Sequence, residues 1–394
     1  MLEALSRYSL QSFCCARQRR LKLTQKQKGF PLLSGLGLSV LIKFALPESK
    51  TFYLRVRVTN KILYLSHDST LMKNPVTIFL TFLAGLFIQT TLAQRKMITP
   101  EFLQKGDTIG ITATARKIDL ATLQPAISLL ESWGLHVIIG KTIGKEDHQL
   151  AGPDWQRATD FQEMLDNPKI KAIWAAKGGY GTVRIIDRID FTRFKKKPKW
   201  IVGFSDVTVL HSHINNMGIE TLHAIMAISA KTASPEAIES LRKSLFGEKL
   251  EYHISHHEYN RNGKATGEIV GGNLSVLYSI LGSKSEVDYK GKVLFIEDLD
   301  EYLYHIDRMM MNLKRNGYFD GLKALIVGGM TQMNDNDIPW GKDAMQIVQD
   351  VLKDYDFPIL YNFPAGHIKD NRALILGKTV SIVVDDKESV VKFD

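Results

Sequence analysis

From residue 98 to about residue 235, short runs of apolar residues alternate with segments in which apolar residues recur at helical spacing. The apolar runs predict strands buried on both faces, and the periodic segments predict helices. Strands and helices that alternate with short connections form a parallel sheet covered on both faces, so we expect a Rossmann-like α/β domain over 98–235. The predicted strands are 107–115, 135–140, 171–176 and 199–204, and the predicted helices are 120–133, 154–165, 183–189 and 207–217.

The chain becomes polar and irregular between about residues 231 and 266, and a second block of alternating elements follows. This change predicts a linker over 236–265. The second block predicts a smaller α/β domain over 266–394, which closes with a hairpin. Its predicted strands are 268–272, 292–298, 323–330, 358–364 and a terminal pair over 373–385, and its predicted helices are 273–281 and 342–352.

The first 93 residues follow a different pattern. Lys73 precedes an apolar run over 76–88, and the small residues of 91–93 follow it. The run is too short to span a bilayer comfortably, so the pattern predicts a signal peptide over 72–93, with an uncleaved anchor as the alternative. We expect the mature chain in the periplasm or otherwise exported, or in the cytoplasm if the signal is not functional. Residues 1–71 are interpreted as an over-extended start or a disordered segment.

The distribution of charge argues against a nucleic-acid partner. The net charge is +9, but residues 1–93 contain 13 Lys and Arg against 3 Asp and Glu, whereas 94–394 contain 38 against 39. The larger part of the chain therefore has no global positive field that would attract nucleic acid. Both cysteines, Cys14 and Cys15, lie in the basic segment. Residues 94–394 therefore have no disulfide, no thiol nucleophile and no thiolate ligand for a metal.

Ser205 is the first candidate for chemistry. It follows the predicted strand 199–204 and precedes the predicted helix 207–217. Exposed backbone N–H groups at the start of a helix can assist a nucleophile and bind a developing oxyanion. The motif Gly-Phe-Ser-Asp-Val matches only the first half of the esterase elbow, because Val207 replaces its second glycine. The alternative is that Ser205 or Asp206 caps the helix.

A glycine-rich turn over 176–181 follows another strand of the same predicted domain. Its glycines allow the backbone to approach a ligand closely and to direct N–H groups towards it. Such a turn could complete an oxyanion hole or bind a phosphate, and an ordinary turn is the alternative. The sequence Gly-Lys-Ser/Thr does not follow, which excludes a Walker loop.

Two further candidates lie in the second block. Glu297 ends the predicted strand 292–298, and a carboxylate there can orient a histidine or bind a cation. His367 lies in a glycine-containing loop after the predicted strand 358–364. The alternatives are a solvated acidic loop and a surface histidine. The other histidines that compete for a catalytic role are His211, His213, His223, His253, His256, His257 and His305.

Five motifs occur in the order and at the spacing found in one known family. They are AAKGGYGTVRIID, GFSDVTVLH, GGNLSVL, LFIEDLDEYLYHIDRM and PAGHIKDN. Together they resemble the L,D-carboxypeptidases of murein recycling, whose relatives include microcin-cleaving immunity peptidases. The resemblance covers 98–394 and implies a nucleophile domain, a smaller C-terminal domain and an active site in the cleft between them.

The resemblance also implies roles for five residues. Ser205 corresponds to the nucleophile, and Glu297 and His367 correspond to the other members of a catalytic triad. The backbone amides of Gly179 and Asp206 correspond to the oxyanion hole. The family further implies a homodimer, a murein peptide as substrate, and no metal or organic cofactor.

The implied activity is hydrolysis of the bond between the L-centre of diaminopimelate or lysine and the terminal D-alanine of murein tetrapeptides. One alternative keeps the triad but acts on a peptide–nucleotide or another acylated amine. A second is a non-catalytic periplasmic binding protein, because two α/β domains beside a cleft also suit ligand capture. A dehydrogenase is disfavoured because no G-x-G-x-x-G follows the first strand. Lys177 stands where the family motif often has arginine, and a lysine cannot make the same planar bidentate contact.

Overall fold

A computed structural model gives the fold of this chain, which divides into two compact units, residues 1–93 and 94–394. No helix in the described part of the chain is long and apolar enough to cross a membrane. The signal peptide predicted over 72–93 lies outside the described residues and stays a prediction. The structure describes residues 38–45, 51–59, 62–64 and 97–394, the first three as backbone alone.

The described residues of the first unit form a three-stranded antiparallel sheet. It consists of β1 (Leu38–Ala45), β2 (Thr51–Thr59) and β3 (Ile62–Tyr64), in that order. Sequence analysis predicted no element here, although apolar and polar residues alternate along β2, which is typical of a strand. The over-extended start predicted over 1–71 stays a prediction.

The second unit alternates strands and helices along most of its length. In chain order its strands are β4 (Thr108–Thr112), β5 (His136–Ile139), β6 (Ile170–Ala175), β7 (Trp200–Gly203), β8 (Thr221–His223), β9 (Glu251–Ser255), β10 (Gly263–Asn273), β11 (Val293–Leu299), β12 (Ala324–Thr331), β13 (Ile359–Leu360), β14 (Leu374–Leu376), β15 (Thr379–Val384) and β16 (Glu388–Phe393). Its α-helices are α1 (Leu120–Ser132), α2 (Asp154–Asp166), α3 (Thr192–Lys196), α4 (Thr208–Asn215), α5 (Pro235–Phe246), α6 (Leu274–Ser279), α7 (Leu303–Arg315) and α8 (Ala344–Val351).

The first sheet of this unit has six strands in the order β14-β8-β7-β6-β4-β5. Strands β4 to β8 pair in parallel, and β14 pairs antiparallel with β8. Trp174 of β6 and Trp200 of β7 are fully buried, as expected for strands covered on both faces. The carboxyl ends of parallel strands lie along one edge of a sheet, so the turns that follow β4, β6 and β7 begin at the same edge.

The second sheet has seven strands in the order β13-β12-β11-β10-β15-β16-β9. Strands β10 to β13 are parallel, and the other pairs are antiparallel. Strand β10 changes its neighbour along its length, because residues 263–268 pair with β15 and residues 269–273 pair with β11. The prediction of an α/β fold with a parallel first sheet and a second α/β domain is confirmed.

Three local predictions were wrong. The segment 183–189 forms two 3-10 turns (Thr182–Arg184 and Ile186–Arg188) rather than a helix. The predicted linker over 236–265 contains most of α5, the whole of β9 and the start of β10. The terminal hairpin consists of β15 and β16, whereas β14 joins the first sheet.

Helix α7 was not predicted, although its sequence contains the signal. Ile306, Met309, Met310 and Leu313 are fully buried and recur at helical spacing. Charged residues before and within this segment interrupt the helical spacing of its apolar residues. The helix contributes to the same buried apolar cluster as β11, the strand that carries Glu297.

Two glycines at the end of β10 permit close contacts, one with the neighbouring strand β11 and the other with α4. At Gly271, where φ is +131°, a Cβ atom would lie 1.9 Å from the backbone oxygen of Phe295. At Gly272 it would lie 2.4 Å from the hydroxyl of Thr208, which accepts a 3.0 Å hydrogen bond from the backbone N–H of Asn273. The pairing of β10 with β11 therefore depends on the absence of a side chain at Gly271, and the close approach of β10 to α4 depends on its absence at Gly272.

We expect Gly271→Ala to lower the free energy of unfolding by about 3 kcal/mol or more, because a left-handed backbone and a collision with main-chain atoms add together. Urea denaturation of the wild-type and variant proteins measures the loss. Gly282→Ala is the matched control. Gly282 has φ +76° and open space around it, so backbone strain alone should cost about 1–2 kcal/mol. Equal losses in the two variants would contradict the steric argument.

Candidate active site

Ser205 lies in a tight turn between β7 and α4. Its φ is +60°, a left-handed conformation that is uncommon for serine and strains the backbone. The turn is closed by Gly203, where a Cβ atom would lie 2.9 Å from a methyl group of Val207. A 3-10 turn over Ser205–Val207 then leads into the helix. The sequence prediction of a serine between strand and helix is confirmed, and the structure adds the strained backbone.

The structure brings together the hydroxyl, the imidazole and the carboxylate that the sequence analysis selected. His367 Nε2 lies 3.1 Å from Ser205 Oγ, and His367 Nδ1 lies 2.7 Å from Glu297 Oε2. The same carboxylate oxygen accepts a 3.2 Å hydrogen bond from the backbone N–H of His367. Because a carboxylate can only accept, this contact assigns the proton to Nδ1 and leaves Nε2 to accept from the serine hydroxyl.

The His367 loop is held tightly over Glu297, which is fully buried at the end of β11. Gly366 has φ +108°, and a Cβ atom there would lie 2.7 Å from both Cβ and Oε2 of Glu297. The backbone N–H of Gly366 donates a 2.8 Å hydrogen bond to Asn371 Oδ1, which closes the loop. The ring of Phe204 packs 4.8 Å from the imidazole, between centroids, on the serine side. Both the backbone and the ring of His367 are therefore fixed.

Two opposing effects set the pKa of His367. Burial favours the neutral imidazole and acts to lower the pKa, but the hydrogen bond and the negative charge of Glu297, together with the charge of Asp298, outweigh burial. The pKa of His367 is therefore raised above its ordinary value. The geometry thus favours a protonated imidazole beside Glu297, as a base must be stabilised once it has accepted a proton.

Asp298, next to Glu297, acts on His367 through its charge, and its hydrogen bonds go to other residues. Burial, with the nearby charge of Glu297, raises the pKa of Asp298 to about 7. Its carboxylate accepts hydrogen bonds from Asn273 Nδ2 at 2.9 Å and from the backbone N–H of Ser275 at 2.8 Å. Asp298 thus ties the start of α6 to the end of β11, a positioning role that sequence analysis did not identify.

The glycine turn lies against Ser205. A Cβ atom at Gly178 would lie 3.3 Å from Ser205 Cβ, and Gly179 has φ +108°. The carboxylate of Asp206, which is almost fully buried, accepts a 2.8 Å hydrogen bond from the backbone N–H of Thr182. Burial raises the pKa of Asp206, against the lowering effect of its hydrogen bonds to the turn. The two predicted oxyanion donors, Gly179 and Asp206, therefore belong to segments that are tied together beside the serine.

Arg157 stabilises the glycine turn through hydrogen bonds, and the sequence analysis did not identify it. It is fully buried, and its Nη1 donates hydrogen bonds to the backbone oxygens of Thr114 at 2.5 Å and Gly181 at 2.9 Å. A signal was available, because Arg157 shares the apolar face of α2 with Ala158 and Phe161. A cation on the buried face of a helix indicates a specific partner.

The other histidines occupy different environments. His211 and His223 are fully buried, and burial lowers the pKa of His211 to about 4, so this ring stays neutral. His305 lies 2.5 Å from Glu301, and His213 lies 2.9 Å from Ser285. Within residues 97–394, no group of three or more His, Asp or Glu side chains is arranged as a metal site. Lys177 lies half-buried in the glycine turn.

Two family models match this chain. The LD-carboxypeptidase N-terminal domain matches residues 109–224, and the LD-carboxypeptidase C-terminal domain matches residues 266–382. The chain belongs to the LD-carboxypeptidase family. The two matched regions contain Ser205 in the first, and Glu297 and His367 in the second.

Relatives and solved structures agree with this assignment. The probable murein peptide carboxypeptidase of Bacillus subtilis is 36% identical over 307 residues, which cover 74% of this chain and 94% of that protein. Muramoyltetrapeptide carboxypeptidase from Oxalobacter formigenes is 25% identical, with a TM-score of 0.67, over 73% of this chain and 98% of its own. An inactive mutant of the microcin C7 self immunity protein is 25% identical, with a TM-score of 0.68, over 74% of this chain and 98% of its own.

The predicted LD-carboxypeptidase family and the predicted serine carboxypeptidase are therefore confirmed. The bond that is cleaved, the acyl-enzyme and the individual roles of the site residues stay predictions.

We expect Glu297→Gln to lower the pKa of His367, because burial remains while the hydrogen-bonded negative charge of Glu297 is lost. In the wild type the raised pKa means that the neutral imidazole predominates only above that pKa, so the variant should hold a neutral ring at lower pH. NMR titration of ¹⁵N-labelled imidazoles measures both values. His253, whose pKa is raised by its contact with Glu388, serves as the internal control and should titrate unchanged. An unchanged pKa of His367 in Glu297→Gln would contradict the effect that we assign to Glu297.

Proposed function

We propose that this chain is a serine L,D-carboxypeptidase that releases the terminal D-alanine from murein tetrapeptides. The bond would join D-alanine to the L-centre of diaminopimelate or lysine. The observation that carries the proposal is the hydrogen-bonded series of Ser205, His367 and Glu297, in a chain of the LD-carboxypeptidase family. The names of the relatives from Bacillus subtilis and Oxalobacter formigenes support murein peptides as the substrate class.

In the proposed mechanism, Ser205 Oγ attacks the scissile carbonyl carbon while His367 Nε2 accepts the hydroxyl proton. The tetrahedral intermediate collapses when the C–N bond breaks, and the same nitrogen delivers its proton to the departing amine of D-alanine. Water then attacks the ester with His367 as base and releases the shortened peptide. Glu297 accepts from Nδ1 throughout, so it orients the ring and stabilises the imidazolium.

The backbone amides of Gly179 and Asp206 would hold the oxyanion of each tetrahedral intermediate. Such donors contribute mainly in the transition state, and the loss of one typically costs about 2.7–4 kcal/mol. The contact of the Asp206 carboxylate with the Thr182 amide supports this assignment, because it keeps the glycine turn beside the nucleophile. The same aspartate thus contributes its amide to the oxyanion and its side chain to the support of the turn.

The runner-up is the same triad acting on a peptide–nucleotide or another acylated amine. It is supported by the likeness to the microcin C7 self immunity protein. A non-catalytic binding protein is disfavoured, because ligand capture does not require a strained serine in contact with a carboxylate-oriented histidine. We further propose export of the mature chain to the periplasm or cell surface and assembly as a homodimer.

We expect the wild-type protein to release D-alanine from murein tetrapeptide and Ser205→Ala to lose about 10⁴- to 10⁶-fold in kcat, because the nucleophile is absent. Mass spectrometry of the shortened peptide measures both rates. Ser279→Ala is the matched control, since its exposed hydroxyl donates only to the backbone oxygen of Val276 and should leave the rate unchanged. Full activity of Ser205→Ala would exclude Ser205 as the nucleophile. Cleavage of a peptide–nucleotide, with no release of D-alanine from tetrapeptide, would favour the runner-up.

We expect the full chain, expressed in a Gram-negative host, to yield a periplasmic product that begins at Gln94, because signal peptidase would cut after the small residues of 91–93. N-terminal sequencing of the periplasmic fraction identifies the start. Leu86→Arg should leave an unprocessed precursor in the cytoplasm, since a charge interrupts the apolar run over 76–88. An intact N-terminus in the wild-type product would argue for an anchor or for no export.

A further inference from the structure

Arg116 lies at the rim of the active site, in the turn that follows β4 at the same sheet edge as Ser205. Its backbone N–H donates a 3.3 Å hydrogen bond to the carbonyl oxygen of Gly178 in the glycine turn. The residues on either side of Arg116 form backbone hydrogen bonds with the loop over 147–151. The N–H of Ala151 donates to the carbonyl oxygen of Ala115, and the N–H of Lys117 donates to that of Gln149, at 2.9 Å each. The backbone of Arg116 is therefore fixed between two loops of the site wall.

The side chain of Arg116 lies on Gly179. A Cβ atom at Gly179 would lie 2.5–2.6 Å from Cγ, Cδ and Nε of Arg116, so the glycine provides the space that the arginine occupies. The neighbouring Gly178 approaches Ser205 to 3.3 Å by the same measure. The guanidinium therefore stands one residue away from the contact between the glycine turn and the nucleophile.

The charge of Arg116 is not neutralised by any carboxylate within the part of the chain that the structure describes. Neighbouring cations are paired: Lys117 lies 2.8 Å from Glu146, and Arg184 lies 2.9 Å from Asp154. Arg116 is exposed, so its guanidinium faces solvent at the site rim. A guanidinium held in place by its stem, but without an anionic partner, is suited to bind an anion supplied by the substrate.

The chemistry of a carboxypeptidase supplies such an anion close to the serine. The terminal carboxylate carbon lies two bonds beyond the scissile nitrogen, a distance of about 2.5 Å. We propose that Arg116 binds this carboxylate with its planar, two-pronged guanidinium. The site would then select substrates whose departing amine carries a free α-carboxylate. This inference rests on the proposed function and deepens it, because an acylated amine without that carboxylate would gain nothing from Arg116.

Two lysines in the active-site loops are the competing cations. Lys177 belongs to the glycine turn and Lys369 follows His367 by two residues. The three atoms nearest to the position that a Gly179 side chain would occupy all belong to Arg116. A single-point ammonium also orients a carboxylate less strictly than a guanidinium does. The arginine is therefore the preferred candidate.

The test compares murein tetrapeptide ending in L-Lys-D-Ala with the same peptide as its C-terminal amide. We expect Arg116→Ala to lower kcat/KM for the free acid about 10- to 100-fold, chiefly through KM, because a charge-assisted contact present in both ground and transition states is lost. For the amide, which has no terminal carboxylate, the same substitution should change kcat/KM by less than about 3-fold. For the free acid, kcat/KM of Arg116→Lys should lie between the values of the wild type and Arg116→Ala.

Three further variants complete the test. Lys117→Ala makes the same change in net charge one residue away and should leave both substrates unaffected. Equal losses on acid and amide in Arg116→Ala would overturn the proposal, because they would indicate only structural support of Gly179. The proposal would also be overturned if Lys177→Ala or Lys369→Ala lost the preference for the free acid over the amide while Arg116→Ala kept it. A wild type that releases no D-alanine would overturn the proposed function itself, and the inference with it.

Discussion

The contact of Glu297 with His367 is the interaction on which the site depends. Glu297 is fully buried, and a buried carboxylate is costly unless it is paired and hydrogen-bonded. Two N–H groups of one residue, from the ring and the backbone of His367, bond to a single oxygen of Glu297. The glutamate belongs to β11 of the second sheet, whereas the serine follows β7 of the first. The histidine must therefore be held where both sheets can reach it.

The path of the chain meets this requirement. The His367 loop leaves the second sheet after β13 and enters the first sheet at β14, which pairs with β8. Each end of the loop is thus anchored in a different sheet. On the other side, Gly272 of β10 allows the second sheet to reach the helix that follows Ser205. Backbone strain at Ser205 and tight glycine contacts are tolerated because the surrounding elements fix them from several directions.

The sequence predicted elements well where local pattern decides and less well where long-range packing decides. Ser205 could be identified from a strand, a short turn and a helix that lie next to one another in the chain. The contacts of His367 with Glu297 and Ser205 span 70 and 162 residues, so no periodicity reveals them, and only the resemblance to a family joined them. The departure of β14 to the first sheet is also a long-range choice, since its sequence suits either sheet.

The way in which the His367 loop is anchored has a consequence for the folding chain. A nascent molecule with only its first sheet formed would have a serine but no base, and one with only its second sheet formed would have a base but no nucleophile. Hydrolytic power would therefore arise in a single cooperative event, when the last strands dock. Incompletely folded copies would therefore lack a complete triad, without any separate inhibitor.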